Sequence, residues 1–214
     1  MPIKHCLIIA NGEECSAEIT NRLLAGSSLV VVLDGALFRV LEKQIPFNIL
    51  MGDFDHFRVN EAIETLPPEV EIIHTPDQEK TDLDKGIELA INRGYTHIDI
   101  IWATGRRADH SITNMTNSVR YAHLANICLY DDYSTIYPIN NNFSRSYKAG
   151  TTISLVPVGT VTGIQLTNLR FPLNNEDLIL GFRAGTSNEV LHDGEITITY
   201  QSGHLLLMEC VDKD

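Results

Sequence analysis

Residues 50–56 read LMGDFDH, with Asp53 and Asp55 flanking a phenylalanine directly after an apolar run. If the strand continued through both aspartates, their side chains would point the same way. Asp82, at the start of a helix-like stretch, supplies a third carboxylate. Three carboxylates crowded without a cation repel each other. As hard oxygen donors they suit magnesium, which keeps several waters and completes its shell with phosphate oxygens. Lys85, Arg106 and Arg107 supply cations that can clamp those phosphates. The set points to metal-assisted phosphoryl or nucleotidyl transfer. An Asp-x-Asp pair alone is unspecific, because glycosyltransferases and phosphatases use it too. The chain has no G-x-x-x-x-G-K-[ST] loop and no G-x-G-x-x-G after its first strand.

These residues need a frame. Six short apolar runs, each closed by a polar cluster, read as strands: 5–12, 29–36, 47–55, 70–78, 97–106 and 126–133. Helix-like stretches separate several of them, so the expectation is a parallel sheet covered on both faces. The strand ends carry Asn11-Gly12, Asp34-Gly35, Asp53 to Asp55, Asp77-Gln78, Thr104 to Arg107 and Asp131-Asp132. In such a sheet ligands bind outside the carboxyl ends of the strands, where all six clusters would lie together.

Thr81 with Asp84 is an approximate capping box. Leu83, Ile87 and Ala90 share one face, Asp82 and Lys85 another, and Gly94 suits the stop. A second helix is expected from about Asp109 to Leu124, with Ile112, Met115, Val119 and Ala122 as its apolar stripe and His110, Asn114 and Asn117 along another face. The Asp109-His110 pair reads equally as a helix cap or as catalytic. His74, His97 and His123 read as surface or satisfied polar residues, and Trp102 as core. Beyond about residue 138 short β-branched runs separated by Gly, Pro and Asn suggest an antiparallel β-sandwich or barrel. The expected division is 1–138, an α/β domain with a Rossmann-like, mostly parallel sheet, and 139–214, an antiparallel β-sandwich.

The chain has 214 residues, 43% of them hydrophobic, and a net charge of −12. That charge gives no general attraction for nucleic acid or anionic lipid, and no stretch approaches the ~18 apolar residues of a membrane span. The start lacks a signal-peptide pattern and the four cysteines are scattered, so a reduced, cytoplasmic protein is expected.

GDFD at 52–55, DQEKTDLDKGI at 77–87, GRRADHSITN at 105–114 and TSNE at 186–189 resemble the thiamine pyrophosphokinase family, in its order and roughly its spacing. DGA at 34–36 and SLVP at 154–157 look like weaker landmarks. The resemblance implies transfer of pyrophosphate from ATP to thiamine, giving thiamine diphosphate and AMP, by a homodimer with an α/β domain and a β-sandwich. It implies magnesium on Asp53, Asp55 and Asp82, with Gln78 and Thr81 in the phosphate pocket and Lys85 neutralising the transferred group. Arg106 and Arg107 would meet phosphate or nucleotide, Asp34 would sit beside the nucleotide, and Asp109 and His110 would stand at the helix start. Ser187 and Asn188 would bind thiamine.

The chain departs from the family pattern in places. His56 replaces the serine of GDFDS, Arg106 the second glycine of GGR, Ala36 the last glycine of DGG, and Asn168 the glycine of a GLKYPL-like stretch. The C-terminal part has no tryptophan, and Phe171, Phe182 and Tyr200 read as sandwich core. Two other readings compete: a thiamine- or nucleotide-binding sensor that has lost catalysis, favoured by His56 and Arg106, and another metal-dependent nucleotidyl- or glycosyltransferase.

Overall fold

The computed structural model describes residues 4–55 and 57–212, so His56 lies outside the described residues. The chain forms two compact units. The first comprises the described residues up to Asn117, together with His123–Asp132. Its strands are β1 (His5–Ile9), β2 (Leu29–Leu33), β3 (Ile49–Gly52), β4 (Glu71–His74), β5 (His97–Ile101) and β6 (Asn126–Tyr130). They pair in the order β4-β3-β2-β1-β5-β6, every pair parallel. The order reverses between β1 and β5, the kind of switch point where open α/β sheets bind ligands.

The helices are α1 (Ala17–Gly26), α2 (Leu37–Glu42), α3 (Phe57–Ile63), α4 (Asp82–Asn92) and α5 (Ala108–Asn117). Alternation along β1 sends Leu7 and Ile9 into a cluster with Leu23 of α1 and with Leu37 and Val40 of α2. Ile8 points the other way, where the Gly86 backbone of α4 comes close enough that a Cβ there would touch it at 3.6 Å. Both faces of the sheet are therefore covered. Thr81 caps α4 and Gly94 (φ +80°) ends it, its N–H bonding the Ile91 carbonyl at 2.9 Å while Tyr95 N–H reaches Ala90.

Two expectations fail here. The run 70–78 is not a buried strand: β4 is an edge strand, and Ile72 is 38% exposed. The second helix ends at Asn117 and continues only as a 3-10 turn over Ser118–Arg120. Its apolar stripe does not face inward, since Ile112 is 57% exposed and the buried residue is Asn114. Asn114 can face the interior because its Nδ2 donates to the Ala103 carbonyl at 2.8 Å, which removes the cost of burying a bare amide.

The second unit comprises Ser118–Ala122 and the described residues from Tyr133 onward. Its strands are β7 (Ser134–Ile139), β8 (Asn142–Tyr147), β9 (Thr152–Thr167), β10 (Asn174–Ile179), β11 (Gly185–Glu189), β12 (Gly194–Thr199) and β13 (Ser202–Cys210). All their pairings are antiparallel. Long β9 joins two sheets, its first half lying beside β11 and β13 and its second beside β10 and β12. Gly159, at φ +79°, marks the change. Ile153, Leu155, Val161, Ile164, Ile196 and Ile198 are fully buried and belong to the core. Tyr200 is buried as expected, but Phe171 and Phe182 are 61% and 89% exposed and are not core.

Candidate active site

A cavity of about 500 Å³ opens at the carboxyl ends of the strands of the first unit. Asp34, Asp53, Gln78, Thr81, Asp82, Lys85, Arg106, Arg107 and His110 line it. Asp55 and Asp109 are not among its lining residues, and Ser187 and Asn188 belong to the second unit.

The loop after β3 differs from the extended form considered above. The strand stops at Gly52, and Phe54 turns left-handed at φ +53°. Asp53 and Asp55 are thus joined by a turn and not by an extended strand, with Asp55 N–H donating to Asp53 Oδ1 at 3.3 Å. Gln78 Nε2 donates to Asp53 Oδ2 at 3.0 Å, and this bond is the main reason the Asp53 carboxyl is held below its ordinary value. Phe54 N–H donates to Asp34 Oδ2 at 3.1 Å. Burial pushes the Asp34 carboxyl up, and the charges of Asp82 and Asp53 push the same way. His74 is exposed and satisfied, as expected: its ring stacks on Phe54 at 5.8 Å and Nε2 donates to the Asp53 carbonyl at 3.2 Å.

The start of α4 carries the next groups. Thr81 Oγ1 accepts from Asp84 N–H at 3.2 Å and donates to Asp84 Oδ2 at 2.8 Å. Asp84 is only 2% exposed, and Asn117 Nδ2 also donates to its Oδ2, at 3.0 Å. One turn on, Lys85 Nζ donates to the Thr75 carbonyl at 2.9 Å and meets Asp82 Oδ1 at 3.4 Å. Lys85 and Asp82 share a face as the spacing implies, and the lysine side chain is 10% exposed.

Among the described residues, no three carboxylate, imidazole or thiolate groups stand together as a ready metal cage. The donor chemistry nevertheless fits a hard divalent cation, because Asp34, Asp53 and Asp82 line one cavity and the charges of Asp53 and Asp82 both push the Asp34 carboxyl up. A cation arriving with phosphate oxygens needs only part of its shell from protein.

The other rim is a pair of zipped loops. Gly12 N–H donates to the Trp102 carbonyl and Glu13 N–H to the Thr104 carbonyl. Any side chain at Gly12 would collide with those carbonyls. Arg106 sits at φ +54°, a conformation the family glycine adopts freely. Its Nη1 donates to the Asn11 carbonyl and to Asn11 Oδ1 at 3.3 and 3.2 Å. Arg39, absent from the sequence reading, donates to Gly12 O at 2.9 Å and to Asn11 Oδ1 at 2.8 Å, with its guanidinium 4.8 Å from the Trp102 ring centre. Trp102 is core, as expected, at 1% exposure. Arg107 grips Asp109 with two bonds, of 3.1 and 2.5 Å, and that guanidinium lowers the Asp109 carboxyl to about 2. Of the Asp109-His110 pair, then, the aspartate holds an arginine and the histidine faces the cavity.

In the second unit, Ser187 is exposed at φ +54° and its N–H donates to Ser154 Oγ at 2.9 Å. Asn188 is 4% exposed, and its amide is occupied. Its Oδ1 accepts from the N–H groups of Phe171 and Glu189, and its Nδ2 donates to the Phe171 carbonyl. As it stands, the Asn188 side chain clasps a loop.

The family model described as thiamin pyrophosphokinase, catalytic domain, matches residues 20–129. The model described as thiamin pyrophosphokinase, vitamin B1 binding domain, matches residues 140–205. The chain is 28% identical over 172 residues to the thiamine pyrophosphokinase of Bacillus subtilis, covering 75% of this chain and 77% of that relative. It superimposes on the crystal structure of thiamine pyrophosphokinase from Bacillus subtilis with a TM-score of 0.79 at 25% identity, over 98% of this chain and 100% of that one. Thiamin pyrophosphokinase from Candida albicans, at 14% identity, shares the fold with a TM-score of 0.82, over 98% and 90%.

Proposed function

The chain belongs to the thiamine pyrophosphokinase family and is a diphosphotransferase, and on that premise we propose that the cavity at the strand ends is its ATP site. The observation that carries this reading is the convergence of Asp34, Asp53, Asp82, Lys85 and Arg106 on one cavity beside the strand-order reversal. Residues 1–138 form the nucleotide and catalytic domain, and 139–214 the thiamine domain. Asp53 and Asp82, which line the cavity, would hold magnesium with Asp55 of the adjoining turn, and magnesium there would neutralise phosphate charge. The protein works as a cytoplasmic homodimer, a reading that rests on the family resemblance and on its scattered free cysteines.

The chain's own residues supply positioning and charge. Lys85, fixed by Thr75 and Asp82, neutralises the group in transit. Gln78 sets Asp53. Thr81 acts through the helix start, because its hydroxyl is committed to Asp84. Arg107 releases Asp109 to reach phosphate. The thiamine hydroxyl oxygen attacks the β-phosphorus, the bond from that phosphorus to the α-phosphate oxygen breaks, and AMP leaves; the hydroxyl proton passes to solvent or to a pocket carboxylate. Transfer of this type depends mainly on placement and electrostatics.

Chromatography of a mixture of protein, ATP, magnesium and thiamine tests the reading. Thiamine diphosphate and AMP in equal amounts, lost when magnesium is omitted, are expected. ADP with thiamine monophosphate would move the attack to the γ-phosphorus, and bound thiamine without product would favour a sensor; either result overturns the proposal.

A further inference from the structure

The rim of the cavity contains an oriented group that the transfer chemistry above does not use. Asn11 follows β1 and lines the cavity. A guanidinium carries only donors, so the two that meet the Asn11 side chain fix which end of the amide faces them. Arg39 Nη2 and Arg106 Nη1 both donate to Oδ1. The Nδ2 end must therefore point away from them, and it lies against the backbone of Gly35, where any Cβ would collide with it. Among the described residues Nδ2 donates to no protein acceptor. Asp34 precedes Gly35 in the chain and lines the same cavity. Its Oδ2 is held by Phe54 N–H, and its carboxyl group is likewise the first thing a Cβ on Gly52 would strike. Two glycines thus make room for two polar side chains, one a donor with its direction fixed and the other an acceptor.

A donor and a carboxylate lining one cavity match hydroxyl groups, which accept from one and donate to the other. They match phosphate poorly, because Asp34 would repel it. We propose that Asn11 and Asp34 read the ribose hydroxyls of the nucleotide, with Arg39 and Arg106 acting as positioning residues that fix the Asn11 amide. The cavity then selects ribonucleotides over deoxynucleotides. This rests on the reading of the cavity as a nucleotide site.

Binding is measured by calorimetry on the full chain with magnesium, using ATP, 2′-deoxy-ATP and 3′-deoxy-ATP, with turnover of each followed alongside. At least one deoxy analogue should bind about tenfold more weakly than ATP, the scale of one hydrogen bond to a charged partner. In Asn11→Ala that ratio should fall to within about twofold, a collapse that a merely structural role would not produce. Gly35→Ala keeps Asn11 but pushes its amide aside, and the same collapse is expected there, so a folding failure of one variant still leaves a test. Equal binding of all three nucleotides by the unaltered protein overturns the inference, as does a ratio preserved in either variant. Discriminating binding without turnover would sustain the inference while removing the transferase reading. Failure to bind ATP at all removes both.

Discussion

Replacing Thr81 with alanine removes one hydroxyl that does two jobs. As the N-cap of α4 it accepts from Asp84 N–H, and losing such a cap costs about 1 kcal/mol. It also donates to the carboxylate of Asp84, a residue 2% exposed, and a hydrogen bond to a charged group contributes about 1.5–3 kcal/mol. Asn117 keeps its own bond to the same oxygen, so the carboxylate is not left bare. The sum is about 2–3 kcal/mol, taking the lower part of the second range. Trp102, the single tryptophan, is buried in the same unit and reports its unfolding by fluorescence. In urea, Thr81→Ala should shift the midpoint by the equivalent of that loss with an unchanged slope. Thr81→Ser keeps the hydroxyl and should stay within about 0.5 kcal/mol of the parent. Asp82 and Lys85 ride on the first turn of this helix, so kcat/KM for ATP should fall with the cap. A Thr81→Ala protein within about 0.5 kcal/mol of the parent would show that the helix start is held some other way, and the reasoning from cap to site would be wrong.

Arg106→Gly should separate stability from binding. The left-handed backbone costs arginine about 1–2 kcal/mol, and the freedom of glycine in the unfolded chain takes back about 0.4–1. A melt should therefore show no loss of stability while KM for ATP rises; an unchanged KM would remove Arg106 from the nucleotide site. Asp109 should titrate at about 2 by NMR and return toward 3.8 in Arg107→Ala. Because its folded value is depressed, its contribution is present above about pH 4 and fades as pH falls toward 2. Both side chains are well exposed, so melting near neutral pH should barely change. If ATP draws Arg107 away, the Asp109 titration should also rise on adding nucleotide.

The features that proved legible in the sequence are those written locally. Six apolar runs became six parallel strands, and Thr81 with Asp84 and Gly94 marked both ends of α4. What sequence could not show depends on long-range partners. Nothing within residues 70–78 says that β4 lies at the edge. The turn at Phe54 is held by Asp34, 20 positions earlier, and by His74, so the local Asp-Phe-Asp pattern reads equally well as strand. Asn114 displaced Ile112 from the interior because the carbonyl of Ala103 lay in reach. Asn11 appeared only as one polar residue in a strand-end cluster. Its meaning came from Arg39, 28 positions away, and from Arg106, 95 positions away.

The same long-range control explains where the first unit stores strain. Four of its described non-glycine residues, Gln44, Phe54, Trp102 and Arg106, have positive φ. Gln44 is accounted for by helix stopping alone. It follows α2, its N–H bonds Leu41 O and the N–H of Ile45 bonds Val40 O, the paired pattern that closes helices through a left-handed residue. The other three end no helix. Phe54 and Trp102 follow closely on β3 and β5 and are held by tertiary contacts, Phe54 by Asp34 and His74 and Trp102 by Gly12 and Arg39, whereas Arg106 lines the cavity and bonds Asn11 through its side chain. Strained backbone of this type costs about 1–3 kcal/mol per residue and persists only where the surroundings hold it. The holding groups include the polar residues that line the cavity. A ligand that recruits Asp34 therefore draws on a carboxylate that also restrains the Phe54 backbone, so substrate binding and the conformation of that loop are coupled through one side chain.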